Sequence, residues 1–137
     1  EAVGHEVRRL RPVVATAQRV VREPLELGPY TIAPGVTLFC SIWMVNRRPD
    51  LYDAPLAFRP ERFLERRPST YEWIPFGGGV RRCIGANFAP MEMRTVIKHV
   101  LTHTKLEAAS PQLEQPRNKV VLLAPKNGTL VIQRRAA

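Results

Sequence analysis

The stretch Pro75-Phe76-Gly77-Gly78-Gly79-Val80-Arg81-Arg82-Cys83-Ile84-Gly85 constrains this chain more than any other. It sets one cysteine, wrapped by glycines and two arginines, directly before a helical pattern expected from about Ala86 to Thr102. A thiol at a helix N-terminus faces unpaired backbone N–H groups and the positive end of the helix dipole, and both favour the thiolate. Cys83 is therefore a candidate ligand or nucleophile. Three consecutive glycines let the backbone turn tightly and let a bulky partner approach the main chain. A flat or large group is the expected occupant.

The rest of the composition narrows the partners. At 137 residues the chain has room for one domain with a core, and 45% apolar with 24% charged residues is globular composition. Thirteen prolines favour many turns and short elements. The net charge of +9 suits an acidic partner surface, but no helix-turn-helix, zinc-finger or aromatic RNA-binding pattern accompanies it, so no nucleic-acid partner is expected. Cys40 and Cys83 come without a signal peptide or a disulfide-dense scaffold, which fits a reducing, cytoplasmic setting. The longest apolar run, around Leu38 to Val45, is far short of the roughly 20 residues needed to span a bilayer, so no membrane segment is expected. A helical pattern is already under way at Glu1, which leads us to expect further residues upstream.

Val3, Val7 and Leu10 form a helical stripe over Ala2 to Leu10, and Pro12 ends the helix. Glu6 and Arg9 lie three apart on it, and by spacing alone they read as an ordinary solvated ion pair. Val13 to Val21 is β-rich. Leu25-Glu26-Leu27, Gly28-Pro29 and Tyr30-Thr31-Ile32 predict a small antiparallel ribbon, followed by a turn at Pro34-Gly35 and a strand over Val36 to Phe39. Cys40, among apolar neighbours, is expected to be a buried structural thiol. Ile42 to Asn46 could form a short helix, and Tyr52 to Pro68 is a proline-punctuated meander whose length calls for an anchor. Pro60-Glu61-Arg62-Phe63 offers one.

Phe88, Met91, Val96, Ile97, Val100 and Leu101 give the apolar side of the helix after the glycines, with Pro90 expected to kink it near its first turn or to be absorbed by a shift there. His99 and His103 have metal-ligand spacing there, but no third ligand accompanies them. Lys119 to Leu123 and Thr129 to Gln133 are expected to be strands, joined by Asn127-Gly128 into a hairpin.

Three chemistries could use Cys83. A nucleophile would want a nearby histidine, and His5, His99 and His103 are all distant in sequence. Zinc would want cysteine pairs. Haem ligation needs one thiolate, a loop that lets the macrocycle approach, backbone donors to the sulfur and cations for the propionates, and it accounts for every unusual residue of the stretch.

Phe76-x-x-Gly79-x-Arg81-x-Cys83-x-Gly85 resembles the haem-binding signature of the cytochrome P450 family at all five specified positions. Glu6-x-x-Arg9 resembles the family's helix pair, and Arg62 resembles the arginine that completes its buried ion triad. The resemblance implies a multihelical, mainly α fold with small β-sheets, of which this chain covers the C-terminal α+β third as part of a single domain over residues 1–137. It implies haem b, with Cys83 as axial thiolate and metal ligand, Phe76 over the sulfur side, and Arg19 and Arg81 at the propionates. Pro75, Ile84, Gly85 and Ala89 complete the implied cofactor contacts, and the N–H groups of Ile84, Gly85 and Ala86 are candidate donors to the sulfur. Val13, Val14, Ala15 and Thr16 match a segment that lines the substrate pocket, and the region from Gln115 to Lys119 is a candidate second lining loop.

The activity implied is a haem-thiolate monooxygenase. It would insert one oxygen atom from O2 into a small apolar organic substrate, with electrons from a ferredoxin, flavodoxin or reductase whose acidic face suits Arg82 and its basic neighbours. Members of that family are considerably longer, and the helix that carries their distal oxygen-activating residues has no counterpart here. The alternative is a truncated, non-catalytic piece that at most binds haem. A basic interaction module using the +9 charge would require the signature to be coincidence.

Overall fold

A computed structural model describes residues 1–108, 115–119, 122–126 and 131–135. Among these residues four helices, α1 (Ala2–Leu10), α2 (Ile42–Val45), α3 (Arg62–Glu65) and α4 (Phe88–His103), are interleaved with eight short strands. These are β1 (Thr16–Val20), β2 (Leu25–Leu27), β3 (Tyr30–Ile32), β4 (Thr37–Ser41), β5 (Thr104–Ala108), β6 (Pro116–Lys119), β7 (Leu122–Pro125) and β8 (Val131–Arg135). They pair as four separate antiparallel two-stranded ribbons, β1–β4, β2–β3, β5–β8 and β6–β7. The β2–β3 ribbon, with Leu27 opposite Tyr30, and the short helix α2 match expectation. Ser41 caps α2, its hydroxyl oxygen accepting from the Met44 N–H at 3.1 Å.

Two expectations are corrected. Lys119 to Leu123 is not one strand running into a hairpin with Thr129 to Gln133: Lys119 faces Leu122 across β6–β7, while β8 pairs with β5. The Asn127-Gly128 turn lies outside the described residues. Local apolar runs locate strands, but their partners are set by pairing distant in sequence. Cys40 is exposed rather than buried, since a two-stranded ribbon such as β1–β4 can bury little of either face. Pro90 is absorbed by a shift, the second of its two expected outcomes: α4 starts at Phe88, two residues later than expected, and the missing N–H falls among those that the first turn leaves unpaired.

On α1 the reading from spacing alone fails, and the buried triad that the resemblance implied is what forms. Glu6 and Arg9 are completely buried and Arg8 nearly so, whereas Val3 and Val7 of the apolar stripe stay exposed. Glu6 and Arg9 form a buried charged pair, with Arg9 Nε donating to Glu6 Oε2 at 2.7 Å and Nη2 to Oε1 at 2.8 Å. The remaining Arg9 protons go to backbone carbonyls of the meander: Nη1 donates to Asn46 (2.8 Å) and Pro55 (2.7 Å), Nη2 to Ala57 (3.1 Å). All five guanidinium N–H groups are thereby used. Arg62 closes the network, its Nε 3.4 Å from Glu6 Oε1, and it donates to the carbonyls of Arg59 and Asp53. Glu6 Oε1 also accepts from the Arg59 N–H at 2.8 Å.

This network explains how an irregular segment can pack at all. Buried carbonyls without a ladder partner are costly, and here guanidinium donors supply the missing bonds. The Tyr52 ring lies under both arginines, 4.9 Å from Arg9 Cζ and 5.9 Å from Arg62 Cζ, and its hydroxyl donates to the Glu72 carbonyl at 2.7 Å. Burial pushes the Tyr52 pKa up to about 12, so it stays a neutral donor. Burial disfavours charge on Glu6, but the hydrogen bonds from Arg9 and the Arg59 N–H, with the charges of Arg9 and Arg62, outweigh it and hold the carboxyl below its ordinary value of 4.5.

Replacing Glu6 by alanine leaves the buried Arg9 charge unpaired and is expected to destabilise the protein by about 3–5 kcal/mol in denaturant titrations, whereas Arg62→Ala keeps the Glu6–Arg9 pair and is expected to cost less. Because the folded pKa of Glu6 is depressed, its contribution is complete above pH 4.5 and is lost as pH falls through the folded value. Acid titration of Glu6→Gln should therefore show a shallower loss of stability below pH 4.5 than the unsubstituted protein; equal slopes would remove Glu6 from the account.

Candidate functional site

The cysteine loop is closed at its neck by the Cys83 N–H donating to the Phe76 carbonyl at 3.0 Å. Within it, Gly77 N–H donates to Ile74 (2.9 Å) and Arg82 N–H to Gly79 (3.1 Å), and Gly79–Arg81 forms a single 3-10 turn. Gly77 and Gly79 sit at φ 68° and 65°, in the left-handed region that other residues enter at a penalty. Gly78 is extended, at φ −153°. A second 3-10 turn, Ile84–Ala86, follows Cys83, and α4 begins just beyond it.

Cys83 is exposed at the surface of this loop, with Val80 and Ile84 on either side of it in sequence fully exposed. A Cβ added to Gly85 would lie 3.7 Å from the sulfur. Of the backbone donors proposed for the sulfur, Ala86 N–H is turned to the Cys83 carbonyl instead, at 3.2 Å. The 3-10 turn claims it, which leaves Ile84 and Gly85 as the candidates.

Behind the loop runs a chain of rings. Phe76 meets Trp73 edge-on with centroids 6.4 Å apart, and Trp73 contacts Phe63 (5.9 Å) and His5 (4.8 Å). Burial and the nearby Arg8 charge lower the His5 pKa, so His5 is neutral near pH 7. Arg8 places its Cζ 5.2 Å from the Trp73 ring centroid and 5.4 Å from that of Phe76. A cavity of about 230 Å³ opens beside the loop, lined by Trp73, Pro75, Phe76, Gly77 and Arg82 among others.

The other expected site residues fall as follows. Pro75 and Ala89 are half-buried, at the entrance to the loop and in the first turn of α4, and Arg81 is exposed in the loop itself. Arg19 stands on β1, where its Nη1 donates to the Gln18 carbonyl at 2.7 Å. The two expected substrate-lining segments meet: Leu123 N–H donates to the Val13 carbonyl at 2.7 Å, and Val14 bridges Leu122. Val13 to Thr16 thus adjoin the β6–β7 ribbon, and Gln115, Pro116 and Leu123 share a cavity of about 340 Å³ with Val7 and Pro12 of the helix end. His99 and His103 stack at 4.2 Å, and His103 Nδ1 lies 2.8 Å from the His99 carbonyl.

Among the described residues no cluster of three or more His, Cys, Asp or Glu side chains could hold a metal ion. Cys83 is thus a lone thiol on an open, partly apolar surface with a cation at Arg81, a donor set that suits a flat macrocycle bringing most of its metal's ligands with it.

The sequence model for cytochrome P450 matches residues 1–132. The chain is 41% identical over 130 residues to "Putative cytochrome P450 137" of Mycobacterium tuberculosis, covering 95% of this chain and 27% of that protein. It is 40% identical over 131 residues to "Putative cytochrome P450 138" of Mycobacterium bovis, covering 95% and 30%. Among solved structures, a retinoic acid-bound cyanobacterial CYP120A1 superposes with a TM-score of 0.86 at 26% identity, over 98% of this chain and 32% of that one. A zebra fish cytochrome P450 with progesterone gives 0.86 at 30% identity, over 98% and 31%. This chain belongs to the cytochrome P450 family, and it spans less than a third of the length of these relatives. Its fold is that family's, helices with small β-sheets, and no described helix is long and apolar enough to cross a membrane.

Sequence reasoning missed Arg8, Asn46, Tyr52 and Trp73. Asn46 is completely buried, and its carbonyls serve two elements: the backbone one accepts from Arg9 and Oδ1 accepts from the Ile74 N–H at 3.4 Å. Only the density of aromatic residues flanking the meander hinted at these contacts.

Alanine at Gly77 or Gly79 meets open space, so backbone conformation alone sets its effect. Each substitution is expected to lower stability by about 1–2 kcal/mol, and Gly78→Ala to be nearly neutral. Chemical denaturation of the three variants checks the ordering.

Proposed function

We propose that this chain is the haem-binding part of a haem-thiolate monooxygenase, acting on a small apolar organic substrate in the cytoplasm. The observation that carries the reading is the exposed thiol of Cys83 in a loop with two left-handed glycines, on a family signature complete at every specified position. When bound, haem b supplies the iron chemistry that uses O2 and electrons from a donor protein, and a thiolate ligand raises electron density on that iron.

The chain's own residues hold and shape this centre. Cys83 is the metal ligand, and the N–H groups of Ile84 and Gly85 are the donors that would temper its charge. Arg81 and Arg19 are the propionate partners. Phe76 shields the sulfur from water, while Pro75 and Ala89 bound the cofactor surface. Val13, Val14, Ala15 and Thr16, with the adjoining β6–β7 ribbon, line the substrate side. The retinoic acid and progesterone of the two solved relatives are largely hydrocarbon, in keeping with such a lining. The exposed Arg82 suits an acidic ferredoxin, flavodoxin or reductase.

A second reading is favoured for these 137 residues taken alone, a non-catalytic piece that at most binds haem. Phe88, Met91, Val96, Ile97 and Leu101 of α4 are all exposed, as are Val3 and Val7 of α1. Such apolar faces call for a covering layer, and the relatives are more than three times as long as the matched part.

The spectrum of the reduced, haem-loaded protein with carbon monoxide tests the ligation. A red-shifted thiolate-type Soret band that Cys83→Ala abolishes is the expected result; no such band from the unsubstituted protein would sink it. Turnover with NAD(P)H and surrogate donors is not expected of residues 1–137.

A further inference from the structure

We infer that Arg8 is a positioning residue for the Cys83 loop: its buried guanidinium holds the Trp73 and Phe76 rings together and sets a fixed positive charge beside them. This deepens the haem-thiolate reading and rests on it for its electronic part alone.

Arg8 is 7% exposed, yet it takes part in none of the ion pairs among the described residues. Its Nε donates to the Gly4 carbonyl at 2.9 Å, within α1, and its Nη1 is buried without a hydrogen-bond partner among the described residues. A buried cation with no carboxylate against it is costly. What offsets the burial is the pair of ring faces at 5.2 and 5.4 Å, Trp73 and Phe76, which attract a cation through their quadrupoles. Burial accordingly pulls the Arg8 pKa down, with the charge of Glu1 opposing.

Both rings belong to the segment that enters the loop, and the Phe76 carbonyl is the acceptor that closes its neck on Cys83. A planar guanidinium can serve two rings at once, which an ammonium or a thioether cannot do in the same way. A packing role alone would be met by any side chain of similar length. A fixed cation near a thiolate-ligated iron stabilises the reduced state, which carries one more electron, and so raises its reduction potential.

The test uses the protein with Arg8→Met, which keeps length and loses charge, and Arg8→Lys, which keeps charge. In the haem-loaded protein the Fe(III)/Fe(II) potential of Arg8→Met is expected to shift to more negative values, with Arg8→Lys closer to the unsubstituted protein. An unchanged potential in Arg8→Met overturns the electronic role.

The geometry is read without haem. In a Trp43→Phe background Trp73 is the sole tryptophan, and its emission is expected to change in Arg8→Met. Unchanged emission overturns the ring contact, including in a variant that fails to take up haem. If the unsubstituted protein lacks the thiolate-type band, the haem reading fails while the emission result still decides the contact.

Discussion

Everything ordered about this chain's irregular middle depends on one buried ionic network. Glu6 and Arg9 on α1 and Arg62 on α3 form it, and their hydrogen bonds reach the backbone of Asn46, Asp53, Pro55, Ala57 and Arg59, which have no sheet or helix of their own. The usual objection to buried ion pairs is that desolvation outweighs attraction. Here the charges also act as the hydrogen-bonding framework for a meander, so replacing them with apolar side chains would strand carbonyls as well as remove charge. The network also fixes where the loop begins, because Tyr52 joins the arginines to the Glu72 carbonyl, next to Trp73.

Much of the local structure was legible in the sequence. Gly28-Pro29 between alternating residues, the run after Cys83 and the proline after α1 each gave an element at or near its observed bounds, since these signals act over a few residues. The side of α1 that is buried was not legible in its hydrophobic pattern, although the resemblance implied a buried ion triad there. A stripe of Val3, Val7 and Leu10 reads as the core face, yet the meander wraps the face of Glu6 and Arg9. Periodicity reports which face is apolar, not which face the described residues cover. Strand partners failed for a similar reason: β5 and β8 find each other across a gap in sequence that no local propensity encodes.

The candidate site divides in the same way. The glycines, Cys83 and Arg81 were visible because a loop with left-handed turns has few permitted residues at those points. The ring stack behind it was not, for Trp73, Phe76, His5 and Phe63 come from three separate segments. Neither was the junction of Val13 with Leu123, which brings the two expected lining segments side by side.

The count of protons on Arg9 has a consequence for what can stand at that position. Five acceptors surround it in one rigid plane-sharing arrangement, two from Glu6 and three from the backbone. A lysine carries three N–H groups on one nitrogen and could reach no more than three of them. Charge alone therefore does not specify the residue. The backbone carbonyls of Asn46, Pro55 and Ala57, which belong to no repeating structure and whose own side chains hardly matter to the contact, select arginine over every other cation.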